Sequence, residues 1–169
     1  GDITLELIKK KKDFEIFHTD INLAMLKEGK KKLINHGKII PSILCDAESL
    51  PFPNNYFDCV TIGFGLRNMT NKEKALKEIY RVISPGGKII ILEFSKIWQP
   101  LSKAYDIFSF KIVPKLGKLF AKDEESYKYL VESIRMHPDQ NKLIELLKEQ
   151  GFEKTSFMNL SAGIVAIHK

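Results

Sequence analysis

The sequence predicts an α/β fold: a mostly parallel sheet covered by helices and closed by a C-terminal antiparallel hairpin. Helix-like and strand-like segments alternate along most of the 169 residues, which is typical of parallel sheets. Two strand-like segments then follow each other directly at the C-terminal end. The length fits one globular domain, so we expect residues 1–169 to form a single domain.

The first part of the chain predicts two helices and two strands. In order they are a helix over 3–12, a strand over 14–19, a helix over 22–35 and a strand over 39–44. Asn22 is a suitable N-terminal cap for the second helix, and Gly37 follows its end. Pro41 has no amide proton, so it favours an edge position or an irregular start for the second strand.

The second part of the chain predicts four strands and two helices, with one irregular segment before the second helix. The elements are a strand over 57–64, a helix over 72–83, a strand over 88–94, a helix from Pro138 to Gln150, and strands over 152–159 and 162–168. The sequence over 84–87, Ser-Pro-Gly-Gly, should end the helix and turn the chain. The apolar run over 88–94 suits a strand buried on both faces. Residues 97–136 mix aromatic residues with lysines and are interpreted as a helical lid or insertion.

The charge and the cysteines restrict the class of protein. The net charge is +6, yet only Arg67, Arg81 and Arg135 among the 27 basic residues are arginine. Because arginine makes the bidentate phosphate contacts, this composition favours a lysine-rich surface and no nucleic-acid partner. Cys45 and Cys59 lie in apolar segments, which predicts reduced core thiols in a cytoplasmic protein.

Other sites and signals are not indicated by the sequence. The four histidines have no partner at metal-ligand spacing, so no metal site is expected. The apolar runs are shorter than a membrane span, and the N-terminus does not resemble a signal peptide.

Two acidic residues follow predicted strands. Asp20 comes directly after the first strand, 19 positions after Gly1, where nucleotide-binding α/β folds place an acid that accepts from ribose hydroxyls. Capping of the next helix is an equal interpretation of Asp20. Asp46 and the small Ala47 follow the second strand and suit an adenine, although an Asp before a loop is common.

The segment GFGLRN, residues 63–68, follows the third strand. It brings two glycines, Arg67 and Asn68 to the carboxyl edge of the sheet, where open α/β sheets bind ligands. The glycines would permit close approach of the backbone, and Arg67 could stabilise a developing oxyanion. The alternative is a turn with a surface arginine.

The chain resembles the UbiE/COQ5 family of ubiquinone/menaquinone biosynthesis C-methyltransferases over essentially all of its length. The resemblance is carried by LPFPNNYFDCVTIGFGLRN, YRVISPGGKIIILEFSK, PLSKAYDIFSF and ESIRMHPDQ. It implies a Rossmann-like class I methyltransferase sheet that uses S-adenosyl-L-methionine to methylate a ring carbon of a polyprenylated quinol. It also implies that the first strand and most of a GGTGD cofactor loop are missing, which makes the domain N-terminally incomplete.

The resemblance also assigns roles to individual residues. It implies that Arg67 and Asn68 activate the substrate and that a second set of residues binds the cofactor: Gly1, Asp2, Asp20, Asp46, Ala47 and Gly63. Gly63 stands where bacterial members have a cofactor-contacting Ser, so only its backbone remains for contact. The proton acceptor stays open between water and Asp46. Glu93 and His137 are further candidates, but a structural role is the favoured interpretation of both.

Several partners and alternatives stay open. A polyprenyl quinol has to be taken from lipid, so peripheral attachment to the inner membrane, on the matrix side in a eukaryote, is one expectation, and a homo-oligomer or a quinone-biosynthesis complex is another. The main alternative is a partial or degenerate domain that binds or assembles without activity. A nicotinamide-binding domain and a lysine-rich nucleic-acid binder are further alternatives.

Overall fold

The computed structural model describes residues 1–10, 14–102 and 124–169. These residues form two compact units, Gly1–Pro53 and Asn54–Lys169. No helix in these three ranges is long and apolar enough to cross a membrane.

The first unit contains two helices and a two-stranded parallel sheet. Its elements are α1 (Asp2–Lys10), β1 (His18–Asp20), α2 (Leu23–Asn35) and β2 (Ser42–Leu44). β1 and β2 are parallel and in register from His18 with Ser42 to Asp20 with Leu44. Leu5, Leu26 and Leu33 form the buried core of this unit.

Both predicted helices of the first unit are confirmed, while both strands are shorter than expected. Asn22 caps α2, because its side chain accepts hydrogen bonds from the amides of Ala24 and Met25. β2 begins only after Pro41, as the missing amide proton predicted. The carbonyl of Pro41 nevertheless accepts a 2.9 Å hydrogen bond from the amide of His18.

The second unit is built on a four-stranded mixed sheet. Its strands are β3 (Phe57–Gly63), β4 (Ile83–Phe94), β5 (Phe157–Leu160) and β6 (Val165–His168), in the spatial order β3-β4-β6-β5. β3 and β4 are parallel, whereas β6 is antiparallel to both β4 and β5. The predicted C-terminal hairpin is therefore confirmed, and its turn lies at Ser161–Gly163.

Three helices of the second unit are described: α3 (Lys72–Val82), α4 (Glu124–Met136) and α5 (Gln140–Glu149). Apolar residues at helical spacing give α3 and α5 a buried face each. These faces contain Ala75, Leu76, Ile79 and Val82 in α3 and Leu143 and Leu147 in α5. Asp139 caps α5 through hydrogen bonds from the amides of Asn141 and Lys142.

The Ser-Pro-Gly-Gly segment is a bulge inside β4 rather than a turn before it. Phe57 pairs with Ile83, but Cys59 pairs with Lys88, so four residues of β4 lie between these pairs where β3 has only Asp58. Gly87 is required there, because a Cβ atom would lie 2.8 Å from one backbone carbonyl oxygen and 3.0 Å from another.

Two predictions about burial are wrong. β4 is not buried on both faces, because Ile90 is 38% exposed while Ile89 and Ile91 are buried. Cys59 is exposed and Cys45 is only half-buried, so they are not core thiols. Strand alternation puts Cys59 on the opposite face from Val60 and Ile62. Partial burial raises the pKa of both thiols, which keeps them protonated near neutral pH.

Much of the predicted lid over 97–136 lies outside the described residues. Its described ends contain a 3₁₀ turn at Gln99–Leu101 and the helix α4. Before that turn, the amide of Trp98 donates a 2.9 Å hydrogen bond to the carbonyl of Ala162 in the hairpin turn. The assignment of 97–136 to a lid stays a prediction.

Candidate active site

In the first unit, two predicted cofactor-binding acids lie at the same edge of the sheet. Asp20 ends β1, and Asp46 follows the parallel strand β2 by two residues. The amide of Cys45 donates a 3.1 Å hydrogen bond to the carbonyl of Asp20, which extends the pairing to this edge. Ala47 follows in a turn and is half-buried.

The local hydrogen bonds show what these carboxylates do in the fold. The cap of α2 is Asn22 and not Asp20. One oxygen of Asp20 accepts a 2.8 Å hydrogen bond from the amide of Asn22, and one oxygen of Asp46 accepts a 2.9 Å bond from the amide of Glu48. These bonds orient both carboxylates at the strand ends. Because a carboxylate has about four acceptor positions, each can still accept hydrogen bonds from a ligand.

Gly1 and Asp2 make different contacts. Gly1 lies close to the backbone of Gly29 in α2, since a Cβ atom on Gly1 would be 3.1 Å from the carbonyl oxygen of Gly29. Asp2 forms an exposed ion pair with Lys32, which lowers the pKa of the Asp2 carboxyl. Within the described residues, no hydrogen bond or ion pair joins Gly1 or Asp2 to Asp20 or Asp46.

In the second unit, a tight turn places the GFGLRN segment at the carboxyl end of β3. Gly63 ends the strand opposite Leu92, and a 3₁₀ turn covers Leu66–Asn68. Phe64 adopts a left-handed backbone with φ of 55°, while its amide donates a 2.8 Å hydrogen bond to the carbonyl of Leu92.

The close approach of a ligand to the backbone at these glycines stays a prediction. Gly65 has φ of −109°, and a Cβ atom there would make ordinary contact at 3.5 Å. Left-handed backbone is uncommon for a bulky residue and costs about 1–3 kcal/mol, and it is found disproportionately at functional sites. The unusual conformation in this turn thus belongs to Phe64.

Arg67 is held inside the fold by Glu93 of β4. Its Nη1 donates to Oε1 of Glu93 at 2.9 Å and to the carbonyl of Phe64. The side chain of Arg67 is 11% exposed and that of Glu93 is fully buried. The interpretation of Arg67 as a surface arginine on a turn is therefore wrong.

The carboxylate of Glu93 accepts three hydrogen bonds. Besides Nη1 of Arg67, its oxygens accept from the amide of Arg67 at 3.2 Å and from the amide of Phe94 at 2.8 Å. A buried carboxylate needs this kind of full pairing, because removing a charge from water without partners is costly.

Two aromatic rings define the faces of the Arg67 guanidinium. Its Cζ lies 5.1 Å from the ring centroid of Phe94 and 6.0 Å from that of Phe64, within the range of cation–π attraction. Nε of Arg67 is buried without a hydrogen-bond partner among the described residues. Such an unpaired donor is uncommon in a buried position and is a candidate contact for a ligand.

Asn68 is joined to helix α4. The hydroxyl of Tyr129 donates a 3.2 Å hydrogen bond to Oδ1 of Asn68, although the two residues are far apart in the sequence. With its carbonyl oxygen engaged in this way, the amide of Asn68 offers its two N–H donors to another group. Tyr129 is itself 58% exposed.

His137 lies just after α4 and is 8% exposed. Neither of its ring nitrogens has a hydrogen-bond partner among the described residues. Burial, with smaller contributions from positive charge on Lys72, His168 and Arg67, lowers the pKa of His137 from 6.5 to about 4. The imidazole is therefore neutral at neutral pH.

Sequence reasoning missed two of these relationships. The sequence indicates a structural role for Glu93 ahead of proton acceptance, but it does not pair Glu93 with Arg67, although a lone acid after an apolar run and a rare arginine are both visible signals. Tyr129 was counted among scattered aromatic residues, and no local pattern connects it to Asn68. No cluster of three His, Cys, Asp or Glu residues that could hold a metal occurs in the described part of the chain.

The fold is that of the class I S-adenosylmethionine-dependent methyltransferases. A methyltransferase of this kind from Aquifex aeolicus superposes with a TM-score of 0.64 at 15% identity, covering 99% of this chain and 74% of that one. The [4+2]-cyclase SpnF gives a TM-score of 0.69 at 20% identity, with coverage of 95% and 50%. Since one of these neighbours is a cyclase, the likeness concerns the fold alone.

The family follows from the sequence. The profile of the ubiE/COQ5 methyltransferase family matches residues 1–169, and the chain belongs to this family. The ubiquinone/menaquinone biosynthesis C-methyltransferase UbiE of Burkholderia vietnamiensis is 58% identical over 154 residues, and that of Burkholderia mallei is 57% identical. The match covers 91% of this chain and 63% of the length of each relative.

Proposed function

We propose that this chain carries out S-adenosylmethionine-dependent methylation of a ring carbon in a polyprenylated benzoquinol or demethylmenaquinol. The observation that carries the proposal is the buried pair of Arg67 and Glu93 beside Asn68, at the carboxyl end of β3. The names of the Burkholderia relatives, ubiquinone/menaquinone biosynthesis C-methyltransferase, support the reaction class.

The first unit supplies the acceptors that the cofactor requires. S-adenosylmethionine provides an electrophilic methyl group, and it presents ribose hydroxyls and an adenine amino group as donors. The carboxylates of Asp20 and Asp46 fit these donors, because both are oriented at strand ends by bonds that use one oxygen each. Ala47 would allow the adenine to lie near the backbone. Gly1, Asp2 and Gly63 complete the proposed cofactor-binding set.

Arg67 and Asn68 would act on the quinol. A ring carbon becomes a better nucleophile as the neighbouring hydroxyl loses its proton, and the resulting oxyanion needs hydrogen-bond donors. Nε of Arg67 is a buried donor without a partner among the described residues. The N–H groups of Asn68 are directed by the bond between its Oδ1 and Tyr129. Together they form a donor set of the kind that stabilises an oxyanion.

The proton acceptor is assigned by exclusion within the second unit. Arginine has a pKa above about 12, so Arg67 stays protonated. Glu93 is fully buried, and its oxygens accept three hydrogen bonds, which leaves it poorly placed to receive a substrate proton. His137 is buried and burial lowers its pKa to about 4, which makes it a weak base, so we assign the proton to water.

A polyprenyl substrate also suggests contact with a membrane surface. We propose a peripheral association through lysine-rich surface, in keeping with the net charge of +6 and with the attraction of basic surfaces to anionic lipid. Co-sedimentation with vesicles of anionic and of zwitterionic lipid tests it, and equal absence from both pellets would reject it.

The central test combines binding and turnover. Calorimetric titration should detect S-adenosylmethionine, and mass spectrometry should detect one added methyl group on a short-chain demethylmenaquinol. Arg67→Lys should reduce turnover at least tenfold, whereas the matched control Arg135→Lys, on an exposed residue, should not. Cofactor binding without turnover would favour a binding or assembly role, and no binding at millimolar cofactor would reject the proposed activity.

A further inference from the structure

We infer that Glu93 is a positioning residue that fixes the Arg67 guanidinium in one orientation. The effect of this role on turnover rests on the proposed function. The orientation of Arg67 by Glu93 concerns only the second unit and does not depend on that function. The side chain of Glu93 is fully buried and directly follows the apolar run over 89–92 of β4.

The carboxylate holds Arg67 at two separate points. One oxygen accepts from Nη1 of the side chain at 2.9 Å, and the other accepts from the backbone amide of the same residue at 3.2 Å. Glu93 therefore ties both the side chain and the 3₁₀ turn that carries it to the central strand of this sheet. A contact to the side chain alone would leave the turn free to shift.

The remaining contacts limit rotation of the guanidinium. Nη1 also donates to the carbonyl of Phe64, and the rings of Phe64 and Phe94 lie near the cation. Nη1 is thus directed inward. Within the described residues, the guanidinium nitrogens left for a ligand are Nε and Nη2.

The position of Glu93 in the sheet makes this support rigid. Its strand pairs with β3 on one side and with β6 on the other, where Glu93 lies opposite Ala166. A donor held by such a central strand keeps its direction without reorganisation during the reaction, which is the condition for effective oxyanion stabilisation.

NMR of the arginine guanidinium groups, recorded on the whole chain, tests whether Arg67 is held in one orientation. Only three arginines are present, so single Arg→Lys variants assign every signal. In the wild-type protein we expect two separated, slowly exchanging Nη signals for Arg67. A single averaged Nη signal for Arg67 would overturn the inference without any Glu93 variant.

Substitution of Glu93 tests whether its carboxylate is what slows the rotation of Arg67. Glu93→Gln should merge the Arg67 signals and lower kcat at least tenfold while KM for S-adenosylmethionine changes less than threefold. Glu93→Asp keeps the charge and should recover part of kcat. The matched control is Glu78→Gln, which removes the 2.8 Å pair between Glu78 and Arg81 and should alter only the signals of Arg81.

Different results would reject the positioning role of Glu93 and the proposed function of the chain. Unchanged Arg67 signals in a folded Glu93→Gln protein would overturn the positioning role. If Glu93→Gln does not fold, faster rotation of Arg67 in Glu93→Asp than in the wild type, with kcat reduced in parallel, supports the positioning role, and unchanged rotation overturns it. An inactive wild-type chain with slowly rotating Arg67 would reject the proposed function and leave the positioning role standing.

Discussion

Protonation of His137 should make the second unit sensitive to acid. The folded protein lowers the pKa of His137 from 6.5 to about 4, mainly through burial. A group whose pKa is depressed by folding binds protons more readily in the unfolded chain. Its stabilising contribution is therefore present above pH 6.5 and is lost as the pH falls toward 4.

The size of the effect follows from the two pKa values. Between pH 7.5 and pH 5.0 the unfolded form of His137 becomes almost fully protonated and the folded form hardly at all. Linkage then gives a loss of about 2 kcal/mol in the free energy of unfolding. Burial also lowers the pKa of His168, so it acts in the same direction.

Urea unfolding at these two pH values measures the effect. The drop in unfolding free energy between pH 7.5 and 5.0 should be about 2 kcal/mol smaller in His137→Gln than in the wild type. His36→Gln is the matched control, because His36 is exposed. The reasoning is refuted if His137→Gln retains the full wild-type drop, whatever its absolute stability.

Three further substitutions test other parts of the second unit. Gly87→Ala should lower the free energy of unfolding by about 1–3 kcal/mol because its Cβ would collide with backbone, whereas Gly65→Ala should change it by less than about 0.5 kcal/mol; equal effects in urea titrations would contradict the bulge geometry. Leu143→Ala removes a fully buried side chain and should cost about 2–5 kcal/mol in the same assay. Tyr129→Phe loses the 3.2 Å bond to Asn68 and should lower kcat about three- to tenfold, as expected for one hydrogen bond, without changing cofactor affinity; an unchanged kcat would mean that Tyr129 does not orient Asn68.

Elements with local signals could be predicted from the sequence. α2 begins immediately after Asn22, as predicted, because a capping side chain satisfies amides only two or three residues away. α5 begins two residues after the predicted start at Pro138, with Asp139 as its cap. The C-terminal hairpin was predictable for a similar reason, since its two strands are adjacent in the chain.

Features that depend on distant partners were harder to predict. The lengths of β1 and β2 depend on pairing between strands, which leaves only three residues in each. The exposure of Ile90 depends on which face of β4 is covered, and an apolar run does not reveal this.

In the candidate site, too, local patterns could be predicted and contacts between distant residues could not. Asp20, Asp46 and Arg67 follow strand ends, so their placement at a sheet edge follows from the strand pattern. The pairing of Arg67 with Glu93 and of Asn68 with Tyr129 joins residues 26 and 61 positions apart. Neither separation leaves a periodic signal, so both pairs became visible only in the structure.

The hydrogen bond between Trp98 and the hairpin turn gives this protein an intrinsic optical probe. Trp98 is the only tryptophan of the chain, its side chain is 63% exposed, and its amide is bonded to Ala162. Selective excitation of the indole therefore reports on one location, the junction between the segment after β4 and the last two strands. Detachment of that hairpin can be followed by fluorescence without attaching a dye.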